Sequence, residues 1–329
     1  MLAWLAAAAA LSFISERDGN REVYVIAADG SGERRITRSG DADYNGPITP
    51  DGKYLLVTSV SELQHEKQQR FFLYPTAGGV PKPLGPIRSL LRHPTFSRDG
   101  RFLFFEGSST DLREIFRLQI DGQKLIPITK NREGNFQPCL SPTGDRLAFV
   151  SSRDQVAELY ASSPTGGPAR RLTQTERDEW QPQFFPDGKW LLFGSDRDGA
   201  DRLYRQPVDG GTAKRLSPEG LDPFVVEESA SISPDGSAVV YVHRQRDRKD
   251  KLCLVDVATG KRTTLFESQA DPATEPVFSP DGTLVAFTLG LGLHSQIFVV
   301  ARDGTKPRRL TQAKGPNWHP LWLSRPSAR

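Results

Sequence analysis

Cysteine is scarce in this chain of 329 residues: there are two, Cys139 and Cys253, and neither belongs to a Cys-x-x-Cys or Cys/His spacing. A structural zinc site is therefore not expected. Both cysteines fall in predicted strands of non-adjacent repeats and read as buried free thiols, with no disulfide between them. Long hydrophobic runs are also missing. The ten residues from Met1 to Ala10 are apolar, but a bilayer span needs about 20. No Gly-x-Ser-x-Gly elbow is present, which excludes the hydrolase chemistry built on one. Charge of one sign is not concentrated either. The 43 Lys and Arg and 40 Asp and Glu, net +3, are interspersed along the chain, whereas nucleic-acid binding needs basic residues gathered on one face. The apolar start admits three readings: the remnant of a signal peptide, the end of a membrane anchor, or a lead-in to the first strand. The first two place the chain in the periplasm or otherwise outside the cytoplasm.

Turn residues are plentiful, 29 Gly and 25 Pro, and they recur on a period. Aligning the chain on one Leu/Val column brings Leu11, Leu55, Leu103, Leu147, Leu191, Val239 and Val285 into register, with steps of 44 to 48 residues. Two positions later stands a second apolar column: Phe13, Val57, Phe105, Phe149, Phe193, Tyr241 and Phe287. A spacing of two puts both columns on one face of a strand, here called strand B. A turn of the Ser-Pro-Asp-Gly kind precedes strand B in six copies, for example at 233–236 and 279–282. Pro pre-sets φ there, Asp can bond nearby N–H groups, and Gly takes the left-handed position. Before the turn lies a short strand A, usually containing Pro. After strand B come a polar loop close to Ser-x-Arg-Asp-Gly, a strand C, a second tight turn, and a short basic strand D such as Arg-Arg-Leu-Thr at 170–173 and 308–311.

Each repeat is thus a four-stranded antiparallel meander, too small to stand alone. The N-terminal copy lacks the turn before strand B, since Leu5 to Ala8 occupy its place. The C-terminus supplies a surplus strand A, Pro320-Leu321-Trp322. The expected fold is all-β: a seven-bladed β-propeller, closed by a C-terminal strand A that completes the N-terminal blade. Residues 1–10 form the apolar lead-in, 11–323 a single propeller domain, and 324–329 a polar tail.

The run Pro-x-x-Ser-Pro-Asp-Gly, apolar strand B, Ser-x-Arg-Asp-Gly, Ile/Leu-Tyr and Arg-Arg-Leu-Thr resembles the TolB-type, WD-like propeller repeat. The match is good at 138–173, 182–217 and 276–311 and extends over roughly residues 11–323. The resemblance implies a fold more than an activity. TolB itself is a periplasmic protein of the Tol–Pal system, with six blades behind an N-terminal α/β domain. This chain counts seven and has no room for that domain, so it reads as TolB-like and not as TolB. Similar propellers precede prolyl-oligopeptidase-type hydrolase domains. Seven-bladed oligogalacturonate lyases share the repeat style and bind a divalent metal through His and Gln.

In such a fold the loops between strands B and C and between strands D and A share one face. Directly before the Pro column stand Gly46, His93, Gln137, Gln181, Ser229, Glu275 and His319. Trp180 and Trp318 lie one residue earlier in their copies. The expected binding residues, around a channel mouth, are His93, Gln137, Trp180, Gln181, Glu275, Trp318 and His319. All five histidines, these two with His65, His243 and His294, map to that loop face. The leading expectation is a non-enzymatic module that binds a protein or peptide there, without a cofactor, with a small molecule or sugar as another ligand class. Two alternatives stand beside it: a metal-dependent polysaccharide lyase or hydrolase, and the sensor or scaffold part of a longer membrane-anchored protein. The basic pairs on the D strands read as edge protection. The segment from Arg244 to Lys251 reads as a solvated loop.

Overall fold

The structure, a computed structural model, describes residues 9–108, 112–131, 133–217, 224–245, 250–268 and 271–323. Seven four-stranded antiparallel sheets run through them, and the fold is a seven-bladed β-propeller. Blade 1 joins the two ends of the chain. Its strand A is Asn317–Leu323, followed across the sheet by Ala10–Ser15, Glu22–Ala27 and Arg34–Arg35. Strands A of blades 2 to 7 are Ala42–Ile48, Leu91–Phe96, Asn135–Leu140, Glu179–Phe184, Val226–Ile232 and Ala273–Phe278. Their strands B are Tyr54–Leu63, Phe102–Ser108, Leu147–Asp154, Trp190–Ser195, Ala238–Arg244 and Leu284–Leu289. The expected closure is present. Ala10 pairs with Leu323, Leu11 with Trp322 and Ser12 with Leu321. The lead-in reading falls, apart from Ala9 and Ala10, outside the described residues. So do the tail at 324–329 and residues 246–249 of the charged segment. Among the described residues, no helix is long and apolar enough to cross a membrane.

Two compact units divide the chain. Blades 1, 6 and 7 and most of blade 2 belong to the first. Blades 3, 4 and 5 belong to the second, with residues 62–71 and 83–88. Within each unit the two aligned columns form the core. All fourteen column residues, from Leu11 and Phe13 to Val285 and Phe287, are buried. The second column stacks on an aromatic of strand C directly opposite, Phe13 on Tyr24, Phe149 on Tyr160 and Phe193 on Tyr204, with ring centroids 5.7 to 6.1 Å apart. Within a unit, neighbouring sheets pack on one another. Leu11, Phe13 and Ile26 of blade 1 meet Ala286, Ile297 and Val299 of blade 7, and Ala148 and Val150 of blade 4 meet Leu191 and Phe193 of blade 5. Burial of this apolar surface drives assembly at roughly 25 cal/mol per Å².

The polar signature between strands B and C wires three of the blades internally. In blades 1, 4 and 5 the Ser hydroxyl accepts the Nε–H of the Arg two residues on: Ser15 from Arg17, Ser151 from Arg153, Ser195 from Arg197. That guanidinium lies 4.2 to 4.6 Å from the Tyr ring of strand C and bonds the first side chain of strand A, namely Asn317, Asn135 or Glu179. The Tyr hydroxyl in turn donates to the loop Asp: Tyr24 to Asp18, Tyr160 to Asp154, Tyr204 to Asp198. The signature is a hydrogen-bond frame.

The structure corrects three expectations. The basic pairs of strand D do more than guard an edge. Arg171 pairs with Glu158 at 2.7 Å and Asp154 at 3.0 Å. Arg170 donates to the carbonyls of Val208 and Asp209 in the next blade. Such pairs hold blades together because each guanidinium presents several donors to fixed acceptors. The stretch from Glu62 to Gln69, which the repeat pattern assigns to the loop between strands B and C of the second blade, is not a loop. Strands B and C of blade 2 run on as Tyr54–Leu63 and Glu66–Pro75, and Gln64 and His65 turn between them with φ of 52° and 68°. Both cysteines are free, but only Cys253 is fully buried by area, Cys139 being half-buried. Burial pushes both thiols upward, Cys253 to about 11.

Candidate functional site

Six residues before the Pro column share one backbone state. His93, Gln137, Gln181, Ser229, Glu275 and His319 all have φ between 50° and 57°. For non-glycine residues this left-handed region is uncommon. The cause is a β-bulge in strand A, seen as register shifts between Arg92 and Thr95, Phe136 and Cys139, Trp180 and Gln183, Glu228 and Ser231, and Thr274 and Val277. A bulge frees one residue from the ladder and turns its N–H out of the sheet.

In blades 4 and 5 the freed N–H group bonds the preceding blade. The Gln137 N–H donates to Glu106 Oε2 at 3.1 Å, and the Gln181 N–H donates to Gln137 Oε1 at 2.8 Å. Glu106 is fully buried on strand B and also receives His93 Nδ1 at 3.0 Å and Arg113 at 3.2 Å. Burial alone would raise its pKa. The bonds from His93 and Gln137 and the charge of Arg113 reverse the sign and hold it below the usual carboxylate range. Trp180 is committed as well. It sits opposite Gly194 in the sheet, and a Cβ on Gly194 would come within 2.2 Å of the indole Nε1. The four expected binding residues of this unit, His93, Gln137, Trp180 and Gln181, are therefore engaged in joining and packing blades, although His93 and Gln181 keep exposed faces.

The three of the other unit lie together. Glu275 Oε2 accepts the His319 N–H at 2.8 Å and the Thr288 hydroxyl at 3.1 Å. His319 Nδ1 bonds Asn45 Oδ1 at 2.9 Å, and the Asn45 amide donates to the His319 carbonyl and to Ser12 Oγ. Beside this network opens a pocket of about 590 Å³, and Trp318 and Glu275 line it. Its outer wall is the blade 7 loop with Leu291 and Leu293, 63% and 73% exposed. Its other edge carries Glu16 and Arg21 from the blade 1 loop, paired at 2.6 Å. Arg21 also bonds the Tyr44 hydroxyl and stands 6.0 Å from the Trp318 ring. Sequence reasoning missed Leu291, Leu293 and Arg21. The signal for the leucines lies in the sequence: this loop reads Gly-Leu-Gly-Leu-His at 290–294 where the repeat calls for Ser-x-Arg-Asp-Gly. A short 3-10 turn, Gly292–His294, fixes it, with Ser295 Oγ donating to the Gly292 carbonyl.

The other histidines do not join these networks. His65 is fully exposed at its hairpin tip, His243 is buried on strand B of blade 6, and His294 is exposed on its loop. Among the described residues, no three His, Cys, Asp or Glu side chains come together as a metal ion would need.

A family model described as "TolB beta propeller domain" matches residues 64–325. An uncharacterized protein of Agrobacterium fabrum, Atu1656, is 31% identical over 129 residues, 39% of this chain and 42% of that protein's length. The crystal structure of TolB from Acinetobacter baumannii superposes with a TM-score of 0.61 at 21% identity, over 96% of this chain and 66% of that one. The S511A mutant of puromycin hydrolase complexed with PGG superposes with a TM-score of 0.72 at 16% identity, over 94% of this chain and 53% of that one. At these identities the structural likeness shows the fold alone.

Proposed function

The chain belongs to the TolB β-propeller family, and from that premise we propose that it is a non-enzymatic binding module that holds a segment of a peptide or protein in the pocket beside Trp318. One observation carries the reading: a pocket of about 590 Å³ whose walls combine an indole, two exposed leucines and a carboxylate. That volume lies within the usual range for ligand sites, and an aromatic anchor ringed by a few polar groups is the usual makeup of a binding hot spot. The strand A bulge supports it: the His319 N–H holds Glu275 Oε2 at the pocket wall. Export to the periplasm is part of the proposed reading and rests on the family match.

The test is selection from a random-peptide library on the immobilised chain. Selected peptides are expected to lose at least tenfold in affinity when Trp318→Ala and Leu293→Asp are combined, with the melting temperature little changed. Undiminished binding by that double variant would remove the pocket from the reading. For export, a fusion of residues 1–30 to alkaline phosphatase should be active outside the cytoplasm. An inactive fusion would count against that compartment.

A further inference from the structure

The charges around the pocket are unevenly satisfied. Glu16 and Arg21 neutralise one another at 2.6 Å, and Arg21 is further held by Tyr44. Glu275 is different. Its Oε2 takes both available donors, the His319 N–H and the Thr288 hydroxyl, while Oε1 has no hydrogen-bond partner among the described residues. Among the described residues, no other charged side chain lines the pocket. Its one uncompensated charge is therefore the carboxylate of Glu275.

The ligand classes respond differently to that charge. An anionic group would meet Glu275 with only an already paired guanidinium to offset it. A purely apolar group would bury Oε1 without a partner, at a cost of the order of that for a lost hydrogen bond. A cation on a long apolar stem meets every wall. Its charge reaches Oε1, its stem lies along Leu291 and Leu293, and the Trp318 face attracts it. The pocket is larger than one side chain, so flanking residues of a peptide fit beside it.

Resting on the binding role proposed above, we propose that the pocket selects peptides carrying a lysine or arginine, with the basic head on Glu275 and the stem against Trp318. A charge-assisted hydrogen bond of this kind corresponds to roughly ten- to hundredfold in affinity.

The experiment uses the full chain and the peptides it selects. Selected sequences are expected to share a basic position. Replacing that residue by glutamine, or acetylating it when it is lysine, should weaken calorimetric binding at least tenfold. Glu275→Gln keeps an acceptor for the His319 N–H and should abolish the preference for lysine over glutamine. Trp318→Ala should weaken both peptides while keeping the preference. The acetylation comparison needs no variant and stands even if Glu275→Gln fails to fold. Selected peptides that show no basic position, or that bind equally well after acetylation, would overturn this inference and leave the binding role intact. If no peptide is selected at all, both fall.

Discussion

At the scale of single residues, the unusual backbone before the Pro column has a structural cause. A residue in the left-handed region costs free energy, and the surroundings must over-determine it. Here the surroundings are acceptors on the preceding blade, such as Gln137 Oε1 for the Gln181 N–H. Gln137→Ala should leave that N–H without its protein partner and lower stability by about 1 kcal/mol, while Gln137→Glu, which retains an acceptor, should lose less. Thermal melts of the two variants decide it. Gly194 is a second such point. An alanine there would push on the Trp180 indole, so Gly194→Ala should cost about 1–3 kcal/mol. In the background of Trp180→Ala the same change should be close to neutral. Equal costs in both backgrounds would mean that the close approach of ring and glycine is not what the site depends on.

Between elements, at three junctions the polar first side chain of strand A meets a polar side chain near the start of strand C in the preceding blade. Where the meeting is amide to carboxylate or amide to amide, the bonds close: the Asn135 amide donates to Glu114 at 2.8 Å, and the Asn317 amide donates to Gln296 at 3.1 Å. Between blades 4 and 5 two acids meet, Glu158 and Glu179, both fully buried, and neither Oε2 has another partner. One proton between them resolves the clash. Burial, then the neighbouring Glu158, pushes Glu179 up to about 7. Bonds from Glu179, Thr173, Thr175 and Arg171 overcome the burial of Glu158 and hold it low. Because the folded pKa of Glu179 is raised, its contribution to stability is present below the ordinary glutamate value and is lost as pH rises through about 7. The wild-type chain should therefore lose on the order of 1–3 kcal/mol between pH 5 and pH 8 from this junction. Glu179→Gln supplies the amide that Asn135 and Asn317 supply elsewhere, and it should melt higher than wild type at pH 8 with little difference at pH 5. A parallel pH profile for the two chains would contradict the shared proton.

Much of this junction was beyond reach of the sequence, for a physical reason. Apolar columns repeat within one strand and are visible as spacing, so all fourteen buried positions could be aligned before any coordinates. Glu158 and Glu179 meet only when two blades pack, and nothing local links them. Trp180 and Trp318 occupy the same repeat position, yet one lies against Gly194 and the other lines a pocket. What separates them is the neighbouring loop, not the residue itself. The pocket could have been suspected only from Gly-Leu-Gly-Leu-His at 290–294, where the repeat pattern fails.

At the scale of the whole molecule, the account rests on one strand from the C-terminus finishing a blade begun near the N-terminus. Asn317–Leu323 supplies the pairing partner of Ala10–Ser15, the indole of Trp322 bonded to the Val277 carbonyl at 3.0 Å, and Trp318 of the pocket. The sheet order, with Asn317–Leu323 beside Ala10–Ser15 in one four-stranded sheet, is this closure. Without it, strand Ala10–Ser15 would be an unpaired edge and the apolar surface shared by blades 1 and 7 would be left open. The most direct test is the thermal melt of a chain ending at Pro316, followed beside the full chain by circular dichroism. The account predicts that the truncated chain melts at least ten degrees lower or fails to fold. A truncated chain with the same melting temperature and the same cooperative transition would contradict the closure, and with it the pocket built on that strand.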